Sequence, residues 1–122
     1  MRTYQTDTRS FTTPKGNTAI VTYRLDTSDW NTVWSCLTED EYGLRDLSVT
    51  GFAADIGAHI GGVTLALLAD NPDVHVIAIE AVPENAQLLL MNLAHNGWTD
   101  RATVYNAAAG SEVGGTARIH FR

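Results

Sequence analysis

The sequence is short of cysteine, of positive charge and of long apolar runs, and each shortage removes a class of function. Its 122 residues include one cysteine, Cys36. A disulfide framework within the chain is therefore impossible, and a metal site built on cysteine is not expected. Cys36 reads as a small, half-buried apolar residue. Eight Lys and Arg stand against 14 Asp and Glu, a formal charge of −6 at pH 7. A general electrostatic grip on nucleic acid or anionic lipid is not expected from such a balance. Arg101, Arg118 and Arg122 make the last part less acidic without amounting to a basic patch. No stretch reaches the ~18 apolar residues needed to cross a bilayer. The start, Met1 to Gln5, is polar and lacks the apolar centre of a secretory signal. No membrane partner is expected, and the simplest address is the cytoplasm. Internal repeats and low-complexity tracts are also missing.

What is present suits one small domain with an ordinary core. Residues 1–17 are rich in Thr, Ser and Gln and read as a loose arm with room for a short strand. Thr18 to Leu25 is β-branched and aromatic, a strand. Ser28 or Asp29 can then cap a helix through Trp30, Val33, Trp34 and Leu37, which follow helical spacing. Trp30 and Trp34, one turn apart, are read as packing rather than as a substrate platform. From Gly51 the pattern becomes regular. Gly51 to Ile56 is a short strand ending in a carboxylate, and Ile60 to Ala69 is a compact apolar helix stopped by Asn71-Pro72. Val74 to Ile79 is a second strand, apolar enough to be covered on both faces. Pro83 stands at a first helical position, Ala86, Leu89, Leu90, Leu93 and Ala94 form the buried stripe, and Asn96-Gly97 provides the left-handed stop. Ala102 to Asn106 is a third strand, and Ile119 to Phe121 begins a fourth element.

Strands and helices alternating in this way imply a parallel α/β sheet with right-handed crossovers. Such sheets bind ligands at the carboxyl ends of their strands, which here means Asp55 to Gly61 and Glu80 to Val82. Gly57 lets the chain reverse and approach a ligand without a Cβ in the way. Gly61 lets the next helix pack close to the strand, so that backbone N–H groups at the helix start face the ligand. A glycine pattern of this kind is weak alone. Glu80 adds weight, because a carboxylate at the next strand end can accept hydrogen bonds from both hydroxyls of a ribose. It follows Gly61 by about the 20 residues seen in dinucleotide-binding folds. The bland alternative is two ordinary polar strand ends.

A dinucleotide would lay its pyrophosphate on the helix N-terminus, where the charge of Asp55 works against two phosphates. The same charge suits an ammonium or a sulfonium. S-adenosylmethionine offers an adenosine to Glu80 and a cationic tail to Asp55, so the residues favour a methyl donor over a dinucleotide without deciding it.

The run FAADIGAHIGGVTLALL resembles the first motif of class I methyltransferases, with Asp55, Gly57 and Gly61 at its acidic-x-Gly-x-x-x-Gly core. The run VIAIEAVPENAQLLLMNLAHNG is similar to the family segment with an acidic residue, a proline and an Asn-Gly stop. Asn106-Ala107-Ala108-Ala109-Gly110 resembles the segment closing the third strand. More narrowly, the set resembles the FkbM-type methyltransferases, whose lead-in is also similar to Arg24 through Asp29 and to Glu41-Tyr42. The resemblance covers Arg24 to Gly110. It implies a Rossmann-like class I methyltransferase fold, a three-layer α/β/α sandwich with a parallel sheet. Residues 1–50 are then an N-terminal arm, strand and cap helix, and residues 51–122 the first half of an S-adenosylmethionine-binding domain. It implies that Asp55 orients the methionine end of S-adenosylmethionine. Gly57, Ala58 and His59 would form a backbone wall beside it, with Gly61 at the helix start. Glu80 would hold the ribose, Ala81 and Val82 would lie against the adenine, and Ala107 and Ala108 near its edge. Many class I sites have glycine where His59 stands. His59 is read as a wall residue ahead of a general base, and no catalytic residue or metal site is assigned.

The family sheet has seven strands, and nothing in this sequence matches the acidic cluster of its next one. The expectation is a domain cut after about its third core strand, with an unpaired apolar edge inviting self-association. Three functions stay open: a methyltransferase acting on a hydroxyl of a small-molecule or sugar substrate, an NAD- or FAD-type dinucleotide binder, and a non-catalytic interaction module.

Overall fold

β1 (Thr6–Thr12) and β2 (Thr18–Arg24) form an antiparallel hairpin, with Thr6 opposite Arg24 and Thr12 opposite Thr18. The computed structural model describes residues 3–108. The expected loose arm is thus a full strand. Phe11 is its one buried residue, so β1 has no apolar period to show and is held chiefly by its ladder to β2. The reversal between them closes on Thr13–Asn17, with Gly16 at φ 90°.

α1 (Asp29–Leu37) follows, burying Val33, Cys36 and Leu37. Neither expected cap operates: Ser28 makes no side-chain cap bond, and Asp29 turns inward with 2% of its surface exposed. Trp30 and Trp34 stack at 5.0 Å, and Trp30 lies 6.4 Å from Phe11 of β1. Their role is packing at the hairpin.

β3 (Gly51–Ile56), α2 (Gly62–Asp70), β4 (Val74–Ile79), α3 (Pro83–His95) and β5 (Ala102–Tyr105) make the second part. The three strands are parallel in the order β3-β4-β5, with Asp55 beside Ala78 and Ala78 beside Val104. This arrangement fits a Rossmann-like α/β fold. α2 starts two residues later than the sequence predicts, because Gly61 takes a left-handed φ of 112° and breaks the helical run.

The helices cover one face of this sheet. Val74, Val76, Ala78 and Val104 are buried beneath them, while Phe52 and Ile56 on the opposite face are 75% and 64% exposed. Among the described residues one helical layer covers the sheet, and β3 is an edge strand. The hairpin packs instead on the outer side of the helices, chiefly against α3.

That seat changes the buried stripe of α3. Ala86, Leu89 and Leu93 are buried as expected, but Ala94 is exposed and Asn92 is fully buried. Asn92 accepts the Thr22 N–H at 2.7 Å and donates to the Thr22 and Ile60 carbonyls. Asn96, one turn later, accepts the Ile20 N–H and donates to the Ile20 carbonyl, at 2.7 and 2.8 Å. Four helical residues rise about 6 Å and two strand residues about 6.7 Å, so two amide side chains on a helix stand in for a neighbouring strand. Residues 109, 110 and 119–121, assigned above to the Asn-Ala segment and a fourth element, lie outside the described residues, as do Arg118 and Arg122.

Candidate functional site

Asp55 and Glu80 stand at the carboxyl ends of adjacent parallel strands, as the sequence predicts. Both are nearly buried, at 9% and 6% exposure. The Thr64 hydroxyl donates to Asp55 Oδ2 at 2.6 Å, and the carboxyl faces the Thr64 backbone N–H as well, so Asp55 is tied to the first turn of α2. Burial raises its carboxyl above the ordinary range against the pull of those Thr64 bonds, and the nearby Glu80 charge pushes in the same upward direction. A cation placed between the two carboxylates would relieve that repulsion, and an anion would add to it.

The Glu80 carboxylate is held by backbone. The His59 N–H donates to Oε1 at 2.7 Å and the Val82 N–H to Oε2 at 2.9 Å, with the Asn85 amide at 3.3 Å. A carboxylate offers about four acceptor positions, so one stays open beside these three bonds. A ribose hydroxyl, or two sharing it, can reach that position.

The turn between β3 and α2 differs from its sequence reading in two respects. The Gly57 and Ala58 N–H groups donate to the Ile79 carbonyl at 2.8 and 3.0 Å. With the His59 N–H on Glu80, these donors tie the two strand ends together and do not face a ligand. Gly57 has φ 74° and open space where a Cβ would stand, so its surface is free for close approach. Gly61 packs against α3 and not the strand: a Cβ there would sit 2.6 Å from Leu89 Cδ1. His59, a non-glycine residue, holds φ 55°. Ala81 and Val82 are exposed beside Glu80, and the Ala107 N–H reaches the Glu80 carbonyl at 3.1 Å, leaving Ala108 exposed next to it. The Asn106 amide donates to the Glu80 and Ala81 carbonyls. All the predicted site residues thus gather at one end of the sheet.

A cavity of about 290 Å³ opens here, lined by Tyr42, Asp55, Ile56, Gly57 and Val63. None of these is basic. A second, more apolar cavity of about 280 Å³ lies between the hairpin and α3, around Tyr4, Leu88 and Met91. Neither Asp55 nor Glu80 lines it.

Sequence reading missed the polar group behind the turn. Arg24 meets the buried Asp29 through Nε at 2.7 Å and Nη2 at 3.1 Å, and Nη2 also reaches Asn85 Oδ1 at 2.6 Å. His59 Nε2 lies 3.4 Å from Asp29 Oδ1. Burial pushes the Asp29 carboxyl upward, but the Arg24 hydrogen bonds and charge outweigh it and hold the group below its ordinary value. The single signal was a charged pair flanking the β2–α1 turn, which reads as surface.

Other candidates recede. Burial pushes the Cys36 thiol up to about 11, so Cys36 is a packing residue. His75 bonds Thr103 and His95 bonds Thr22. His120, Ser111 and Glu112 lie outside the described residues. Among the described residues no group of His, Cys, Asp and Glu could hold a metal, and no helix is long and apolar enough to cross a membrane.

No family model matches the chain. Over 50 residues it is 46% identical to the type II methyltransferase M.XamI of Xanthomonas campestris pv. amaranthicola. The likeness is to a methyltransferase. It covers 41% of this chain and 10% of that protein, so the chain matches a small part of its relative's length. It does not single out the FkbM type.

Proposed function

We propose that the chain carries the S-adenosylmethionine-binding part of a methyltransferase. The observation that carries this reading is the pair of nearly buried carboxylates, Asp55 and Glu80, at neighbouring strand ends. The partial likeness to a methyltransferase supports it. Glu80 would accept the ribose hydroxyls, Asp55 would face the cationic amino-acid end, and Gly57 would give the cofactor room. Ala81 and Val82 would lie along the adenine, with Ala107 and Ala108 at its edge. When bound, S-adenosylmethionine supplies an electrophilic methyl group. The chain's own contribution is to bind and orient the donor, since alignment of the reacting atoms is the main source of rate in such transfers.

A dinucleotide fits less well. Its pyrophosphate belongs at the helix N-terminus, and the Asp55 carboxylate already holds Thr64 in the first turn of α2 there. A hydroxyl of a small molecule or sugar as acceptor rests on the resemblance to FkbM-type enzymes.

Calorimetry on the 122-residue chain tests the reading. S-adenosylhomocysteine should bind and NAD should not, and Glu80→Gln should weaken the first by about tenfold through loss of a charged hydrogen bond. Preference for NAD, or no S-adenosylhomocysteine binding by a cooperatively melting sample, would contradict it.

A further inference from the structure

Glu80 is fixed by two neighbours that are themselves fixed from the same place. The Asn85 amide points its Nδ2 at Glu80 Oε2 because its Oδ1 accepts from Arg24 Nη2. The His59 N–H points at Glu80 Oε1, while the His59 ring lies against Asp29 Oδ1. Asp29 in turn is held by the Arg24 fork and by the Arg24 backbone N–H at 3.0 Å. His59 occupies a left-handed conformation that a non-glycine residue keeps only when its surroundings enforce it. Asp29 is 2% exposed and the Arg24 side chain 16%, so both are removed from most competing water.

We infer that Arg24 and Asp29, from the hairpin and α1, are positioning residues for the Glu80 carboxylate, acting through Asn85 on one oxygen and through His59 on the other. This rests on the reading of Glu80 as the ribose-binding group. It makes recognition of the ribose hydroxyls depend on the N-terminal hairpin, which contributes no atom to the cofactor cavity. Lysine cannot replace Arg24, because the bond to Asp29 and the bond to Asn85 need the planar fork.

The test uses Arg24→Lys, Asp29→Asn and Asn85→Ala in the full chain, with two readouts. The first needs no ligand: amide exchange of His59 and Val82, the two backbone donors to Glu80. Arg24→Lys and Asp29→Asn should abolish the protection of the His59 amide, while the core amides of Val76 and Leu89 keep theirs. The second is the ratio of affinities for S-adenosylhomocysteine and its 2′-deoxy analogue. Wild type should prefer the hydroxylated ligand by roughly ten- to hundredfold, the range of a hydrogen bond to a charged group, and the variants should lose most of that preference. A general loss of stability would lower both affinities alike and leave the ratio. Asn85→Ala cuts one relay and spares the ion pair, so it should fold and lose part of the preference. Unchanged His59 protection together with an unchanged ratio overturns the inference. Loss of protection in a chain that binds neither ligand would uphold the positioning role and sink the cofactor reading alone.

Discussion

The helix layer has two neighbours, the hairpin on one side and the parallel sheet on the other, and directed bonds distinguish the first. The hairpin buries Phe11, Ala19, Val21 and Tyr23 in the core and adds side-chain bonds to its free edge. Asn92 and Asn96 complete the free edge of β2, and Arg24 reaches Asp29 and Asn85. The sheet is seated by apolar burial, with Val76, Ala78 and Val104 under the helices. Its outer face then leaves Phe52 and Ile56 open at 75% and 64% exposure. Directed bonds fix a register, because a side-chain amide at the wrong step leaves buried groups unpaired. Apolar burial fixes which face points inward and says little about what covers the other. The candidate site lies where the two kinds of closure meet.

Asn92 offers the severest way to break this contrast. Asn92→Leu keeps the branched shape and strands the Thr22 N–H and the Thr22 and Ile60 carbonyls, so unfolding in urea should show a loss of about 4 kcal/mol. A loss below about 1 kcal/mol would mean that apolar packing alone seats the hairpin. Gly61→Ala comes next, at about 3 kcal/mol, since the new Cβ meets Leu89 at 2.6 Å in a left-handed conformation. Gly57→Ala has the conformational cost without the clash and should lose about 1 kcal/mol.

Acid titration separates two of the three buried carboxylates, Asp29 and Asp55, by sign. Asp29 is lowered in the folded state, so its contribution is complete above the ordinary carboxylate range and is lost as pH falls through its depressed value. Asp55 is raised, so lowering the pH from its raised value to the ordinary one strengthens the fold. Asp29→Asn should flatten the acid limb of a melting-temperature profile, and Asp55→Asn should remove the gain just above it. The smallest effects belong to the open face. Phe52→Ser and Ile56→Ser should change unfolding by no more than about 0.5 kcal/mol. Sedimentation should nevertheless show less self-association, given the exposed edge strand β3. A loss of 2 kcal/mol or so would mean that this face is covered in solution.

How much of this could be read in advance follows the same division. β3 and β4 appear where their apolar runs place them, because a run with turn signals at both ends has one solution. The hairpin was half seen, since β1 spends its residues on solvent and its ladder bonds are backbone. The paired carboxylates and the left-handed Gly57 were legible as a spacing. The tying of Gly57, Ala58 and His59 to β4 was not, because backbone donors carry no residue signature. Asn92 and Asn96 show a helical spacing of four, yet asparagine on a helix reads as surface until the strand it serves is known. Arg24 and Asp29 were hidden for the same reason.

Chemical-shift mapping of the isotope-labelled chain with S-adenosylhomocysteine tests the central claim most directly. The account requires the largest shifts at Gly57, Glu80, Ala81 and Val82, with little change at Thr8, His75 and Met91. Shifts confined to Tyr4, Leu88 and Met91, around the cavity between the hairpin and α3, would place the ligand elsewhere and contradict it.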